Sequence, residues 1–240
     1  MVNLELPWKS ALTVREIWFP TIGETIALST GWRPRWLRLF HLERRIGKLL
    51  GRWERRQTLI TDLGTLDSLL ERMSQTMRYD IRRALSRDGL RFVDDWTPEQ
   101  LVAFAASGDA GNTNQPALAR LSALRAQGRL TIRAALADHT PLCAHAFIDD
   151  GRIARALHSY SIRRSVDKVD APRVARATKA LYFLDLHYMR DRGLREFDWG
   201  GISGRPGNGI DALKMEYRGT PRHTWCFDGL WLPYVTPLRF

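Results

Sequence analysis

Three absences bound the chain before any motif does. Its 240 residues contain no run of eighteen apolar ones, so no segment reads as a membrane-spanning helix. The opening stretch MVNLELPWKS lacks the basic and apolar regions of a secretory leader, which predicts a cytoplasmic location. Only two cysteines occur, Cys143 and Cys226, without metal-like spacing; they fit a reducing compartment and predict buried thiols and no metal site. Two catalytic signatures are missing as well, Gly-x-Ser-x-Gly and His-Glu-x-x-His, and with them those hydrolase and zinc-protease classes.

Lysine is also scarce. Five lysines (Lys9, Lys48, Lys168, Lys179, Lys214) stand beside 32 arginines, and the net charge is +11 with a pI near 10.3. Arginine binds phosphate bidentately and stacks on bases, which suits a nucleic-acid or phosphorylated partner. An arginine-rich proteome from a GC-rich genome gives the same count, and composition leaves both readings open. At 44% hydrophobic residues the chain can bury a core, as one generous domain or one domain with an appendage.

The first sixty residues hold eleven basic and five acidic groups and five of the nine tryptophans. Within them PRWLRLFHLERRIGKLLGRWERR predicts an amphipathic helix, with Trp36, Leu39, Ile46, Leu49 and Trp53 near one face. Arg44, Arg45, Arg52 and Arg55 on its other faces are candidates for a polyanion, RNA or an anionic lipid surface. A domain helix with a solvated face would show the same stripe.

Further on, TLITDLG predicts a strand and residues 67–87 a helix stopped by Gly89. LRFVDDW is a short strand, Thr97-Pro98 starts a helix, and Gln115-Pro116 starts another that Gly128 closes. Residues 129–137, 141–148 and 152–162 read as an antiparallel meander, with Asp150-Gly151 as its hairpin signal. A helix from Ala171-Pro172 ends before Gly193, and two strands at 223–227 and 230–235 close the chain. The class is mixed α/β: a largely antiparallel sheet flanked by helices.

Between those last elements lies LREFDWGGISGRPGNGIDALKMEYRG, residues 194–219. It predicts a strand, a glycine-rich loop and a short helix. Neither a dinucleotide fingerprint nor a P-loop fits: Ala212 occupies the third glycine position counted from Gly207, and Ile210 stands where a P-loop has lysine.

Three features in this order resemble the FemABX-like branch of the GNAT acyltransferase fold. They are the segment from Thr58 to Phe92 with its Arg78–Ala84 core RYDIRRA, the strand end FDWGG, and GIDALKMEYRG, where Leu213-Lys214 stands for the family's Phe-Lys. Chains of that family are longer and carry two GNAT-like halves. The resemblance therefore implies a reduced, basic, Trp-rich first part, residues 1–75, and a GNAT-like catalytic part, residues 76–240.

It implies transfer of an aminoacyl group from aminoacyl-tRNA, or of an acyl group from a thioester such as acyl-CoA, to an amine of a small molecule or precursor. No tightly bound cofactor is expected. GNAT enzymes grip coenzyme A pyrophosphate on a glycine-containing loop, whereas the matching segment here, residues 162–176, has no glycine. It offers Arg163, Arg164 and Lys168 before a helix N-terminus, an anion-favouring place that inclines the reading towards tRNA as donor and partner. The resemblance places a functional lysine at Lys214, a cation for developing negative charge. Asp198 either holds the acceptor amine or caps the loop at Gly200-Gly201. Tyr160 faces either substrate or core. Arg78 and Arg82, four apart, suit a phosphate or carboxylate of the donor, or salt bridges with Asp80. His145-x-x-x-Asp149 and His187-x-x-x-Asp191 match a condensation-type pattern twice, which shows how little that pattern means here. A noncatalytic RNA-binding or peripheral membrane-surface protein remains the reading of another class.

Overall fold

The computed structural model describes residues 1–8, 12–31, 37–46, 51–107, 117–163, 167, 170–202 and 209–229. Two compact units divide the chain: Met1–Thr58 with Pro221–Phe240, and Leu59–Thr220. The division after residue 75 expected from the family falls inside the second unit, at the first residue of a helix.

In the first unit β1 (Val2–Trp8) pairs antiparallel with β2 (Leu12–Trp18), and β2 pairs parallel with β3 (Leu37–Leu42). A helix, α1 (Ile22–Gly31), makes that crossover. β10 (Thr220–Gly229) pairs antiparallel with β3, and the first part of β4 (Gly51–Asp62) follows it. β4 opens on glycine because a Cβ at Gly51 would sit 2.2 Å from the Asp228 carbonyl oxygen. The amphipathic helix expected over residues 34–56 is therefore replaced by strands. Leu37 and Leu39, two apart, join Ile17, Leu42 and Phe227 in one cluster, with Ile46 and Trp53 packed against it. Leu37 and Leu39 thus follow a period of two, not the period near four of the expected helix; Trp36 and Leu49, which complete the helical stripe, lie outside the described residues.

The second unit carries the remaining sheet, in the order β5 (Leu90–Val93), β6 (Leu130–Ala137), β7 (Thr140–Asp149), β8 (Ile153–Ser161), β9 (Glu196–Gly201), then the end of β4. Strands β5 to β8 are antiparallel, and β6 to β8 form the expected meander, while β8 and β9 are parallel. The parallel pair requires a crossover, and α6 (Ala171–Asp191) supplies it.

Side chains alternate across this sheet. Ala135, Ala137 and Cys143 meet Val174, Ala177 and Leu181 of α6 on one face. On the other, Ile132, Ala134, Ala144, Ala146 and Tyr160 meet Trp96, Leu101, Phe104 and Leu121. The helices there are α4 (Pro98–Ser107) and α5 (Leu118–Ala126). Thr97 caps α4 reciprocally with Gln100, as the sequence implies.

The single helix expected over 67–87 is three pieces: a 3-10 turn Leu63–Ser68, α2 (Leu69–Arg72) and α3 (Gln75–Ser86). Ser74 makes the break. Its Oγ accepts the Met77 N–H as an N-cap, and its own N–H donates to Glu216 at 3.0 Å. α7 (Gly209–Glu216) follows β9, and the second closing strand expected at 230–235 lies outside the described residues, as does the Gln115-Pro116 helix start.

A buried ionic network fastens β6, β7 and α6. Asp185 accepts from Arg133 at 2.8 Å and pairs with His145 Nδ1 at 2.7 Å, and Arg133 reaches Asp94 at 2.6 Å. His145 thus pairs with Asp185 of α6, not with Asp149 four residues on. Asp149 instead accepts from the Gly151 N–H and faces Arg129 and Arg192.

Candidate active site

The candidate site gathers where β8 and β9 run side by side. Their register pairs Ile153 with Glu196, Ala154 with Phe197 and Arg155 with Asp198. Phe197 and Trp199 point into the cluster on the α6 face, so Asp198 between them points to the α4/α5 face. There it is fully buried, and its carboxylate is engaged twice. Oδ2 accepts from Arg155 at 2.9 Å, and Oδ1 accepts the Gly200 N–H at 2.7 Å. The contact with the Gly200 N–H is the loop-capping contact, one of the two roles open to Asp198.

That contact turns the chain. Gly200 has φ +79°, a left-handed conformation costly for any other residue, while an added Cβ would meet only ordinary contacts. Gly201 next to it is exposed, and among the described residues nothing lies within 4 Å of its Cβ position.

Lys214 lies on α7, and its Nζ donates to the Gly201 carbonyl oxygen at 2.7 Å, tying the helix to the end of β9. The ammonium pKa is lowered, first by burial and then by the Arg155 charge, against the opposing pull of Asp211 and Asp198. Lys214, Gly201, Gly200, Asp198 and Arg155 thus form one connected group of two cations and one carboxylate. Arg155 has no signal in the sequence: its partner is 43 positions away, and only the parallel register brings them together.

Tyr160 lies on the same face of β8, buried among the α4 and α5 side chains. Its hydroxyl is 3.2 Å from His158 Nδ1, and burial pushes the phenol pKa up to about 12. It is not in the Lys214–Asp198 group.

A second locus lies just beyond the C-terminal end of β8. A cavity of about 360 Å3 is lined by Asp80, Arg163, Ala171, Pro172, Ala175 and Arg176, at the N-terminus of α6. Asp80 is held by Lys179 at 2.6 Å, and Arg176 by Asp88 at 2.6 Å, so among the described residues there Arg163 is the cation without either tie. Arg164 and Lys168 lie outside the described residues. Of the α3 pair, Arg78 donates to the Glu71 carbonyl at 2.7 Å and Arg82 is exposed; neither bridges to Asp80.

In the first unit, Arg44, Arg45, Arg52 and Arg55 are all exposed. They share no helical face. Arg45 sits over the Trp53 ring at 5.9 Å, and Arg55, two along the strand, is on the Trp53 side, while Arg52 is on the side of Asp228. No group of His, Cys, Asp and Glu suited to a metal ion occurs among the described residues.

No family model matches the chain, and no curated protein does. Solved structures match it well. FemX aligns over 97% of this chain and 85% of its own, with a TM-score of 0.64 at 13% identity. A conserved protein of unknown function from Bacteroides thetaiotaomicron gives 0.53 at 11%, covering 80% and 69%. L-PGS from Bacillus licheniformis gives 0.52 at 14%, covering 80% and 67%. At these identities the likeness is one of fold: the chain has a GNAT-type α/β fold. FemX shares that fold over most of its length.

Proposed function

We propose that the chain is a FemABX-like acyltransferase that moves an aminoacyl group from aminoacyl-tRNA to an amine of a small molecule or precursor, forming an amide. The observation carrying this reading is the group at the end of β9. An accessible glycine backbone at Gly201 is met by the Lys214 ammonium, above a buried Arg155–Asp198 pair. Attack of an amine on an ester carbonyl builds negative charge on the carbonyl oxygen. A partly desolvated cation already held at hydrogen-bonding distance from a carbonyl oxygen is suited to stabilise it. Asp198 and Gly200 fix the backbone that presents this place, and Arg155 holds Asp198 from the neighbouring strand.

The donor reading rests on other features. The N-terminus of α6 with Arg163 at its cavity favours a phosphate, and the charge of +11 favours a polyanion. The fold shared with FemX supports the same class. The second reading, an acyl-CoA donor, draws on that same cavity, whose position at a helix N-terminus suits a pyrophosphate.

Incubation with a mixture of charged tRNAs, and separately with acyl thioesters, followed by mass analysis of trial amines, separates the two. Aminoacyl adducts from tRNA alone support the first reading. Adducts from thioesters alone replace it with the second, and adducts from neither remove both.

A further inference from the structure

β8 contains an irregularity that the group at β9 does not use. Along β7 the partners run Ile148↔Arg155 and Phe147↔Ala156, then Ala146↔His158 and Ala144↔Tyr160. Leu157 is therefore the extra residue of a β-bulge. In a regular strand residues 155 and 158 would lie on opposite faces, because the side-chain period is two. With the bulge, Arg155, His158 and Tyr160 all share the α4/α5 face. Ala156 remains on the α6 face against the Phe147 cluster, and Tyr160 packs with Ala144 and Ala146.

His158 is thus set on the same strand face as the Arg155–Asp198 pair, three positions along. Its Nδ1 is engaged by the Tyr160 oxygen at 3.2 Å, the rings stack at 5.8 Å, and among the described residues Nε2 takes no partner. We propose, resting on the acyltransferase reading, that His158 is the proton acceptor for the attacking amine and that Tyr160 is the positioning residue that fixes its ring. Nδ1–H donates to the Tyr160 oxygen, leaving the Nε2 lone pair for the substrate.

The groups around it agree. Burial, and then the Arg120 charge from α5, push the His158 pKa down to about 4, so the imidazole is neutral at physiological pH. Ala146 of β7 is apolar, and Arg155 is paired with Asp198 of β9. A base this weak does not deprotonate a free ammonium ion. It acts once the neutral amine has begun to bond, when the nitrogen becomes cationic and strongly acidic. The N–C bond forms, the proton passes from nitrogen to Nε2, and the C–O bond to the donor ribose (C–S for a thioester) breaks as that proton passes to the leaving oxygen or sulfur.

The test measures transfer by the full chain, using the donor and amine found for the wild type. His158→Gln is expected to lower kcat about 10²-fold with donor KM unchanged, the scale of general-base catalysis. His158→Ala is expected to regain turnover with added imidazole. Tyr160→Phe is expected to lower kcat, again at constant KM, and to convert the 15N imidazole signals of His158 from one tautomer to a mixture. An active wild type whose His158→Gln variant keeps kcat within threefold overturns the role of His158 alone. A wild type that transfers from no donor overturns the acyltransferase reading, and this role with it.

Discussion

A lysine ammonium held 2.7 Å from a carbonyl oxygen at the rim of an accessible backbone has two possible duties. It latches α7 to β9, and it offers charge to a second carbonyl placed beside the first. The two separate on substitution. Lys214→Met removes both and is expected to lower turnover by about 10²-fold or more, the scale of one lost oxyanion donor. Because the latch is one hydrogen bond at a half-buried position, the melting temperature should change by only a few degrees, read in a thermal scan. A folded Lys214→Met chain with normal turnover would leave Lys214 the latch alone. Lys214, Asp198 and Gly200 were legible in the sequence because they fall within one continuous stretch. Arg155 and His158 were not. Their place depends on a parallel register and a bulge, and neither leaves a mark in the residue pattern of β8.

At the scale of elements, the joint between α3 and α6 is set by Asp88, just beyond the end of α3. Its carboxylate accepts from Arg176 at 2.6 Å and from Arg83 at 3.3 Å, and its carbonyl accepts from Arg173. Burial alone would raise this carboxyl pKa; the bonds to Arg176 and Arg83 outweigh it, and the value is lowered. A carboxyl pKa lowered by folding contributes stability above its unfolded value, about 4, and loses it as pH falls through the folded value. Asp88→Asn is therefore expected to cost about 2–4 kcal/mol at pH 7 in urea unfolding, as for one partner removed from a buried ion pair. The gap between wild type and variant should close as the pH drops below about 4. A gap that stays constant down to pH 3 would show that Asp88 acts by packing instead. The sequence announced α6 and the meander through clear periods and turn signals. It misassigned residues 34–56, because short apolar runs broken by arginines satisfy periods of two and near four together.

Across the whole molecule the charge of +11 is carried mostly by arginine, and its arrangement decides what it can hold. On a helix, Arg44, Arg45, Arg52 and Arg55 were candidates for one polyanion surface. On strands they divide. Arg55, two along from Trp53, shares its side, beside which Arg45 lies, whereas Arg52 faces the side of Asp228 and Arg38. Arginines on the two sides of β4 do not make one continuous polyanion surface. Each phosphate neutralised contributes about 0.7–0.9 to the slope of log affinity against log salt. Replacing all four arginines by glutamine should therefore flatten that slope for tRNA by about two, where one continuous face would give about three or more. Filter binding from 50 to 300 mM salt measures this, and a larger change would show that all four reach the same polyanion. Arg163→Gln, at the cavity beside α6, is expected to change the slope by about one and to weaken binding equally for charged and uncharged tRNA. An unchanged slope there would take the phosphate away from the α6 N-terminus, and with it the support for tRNA as the donor at that place.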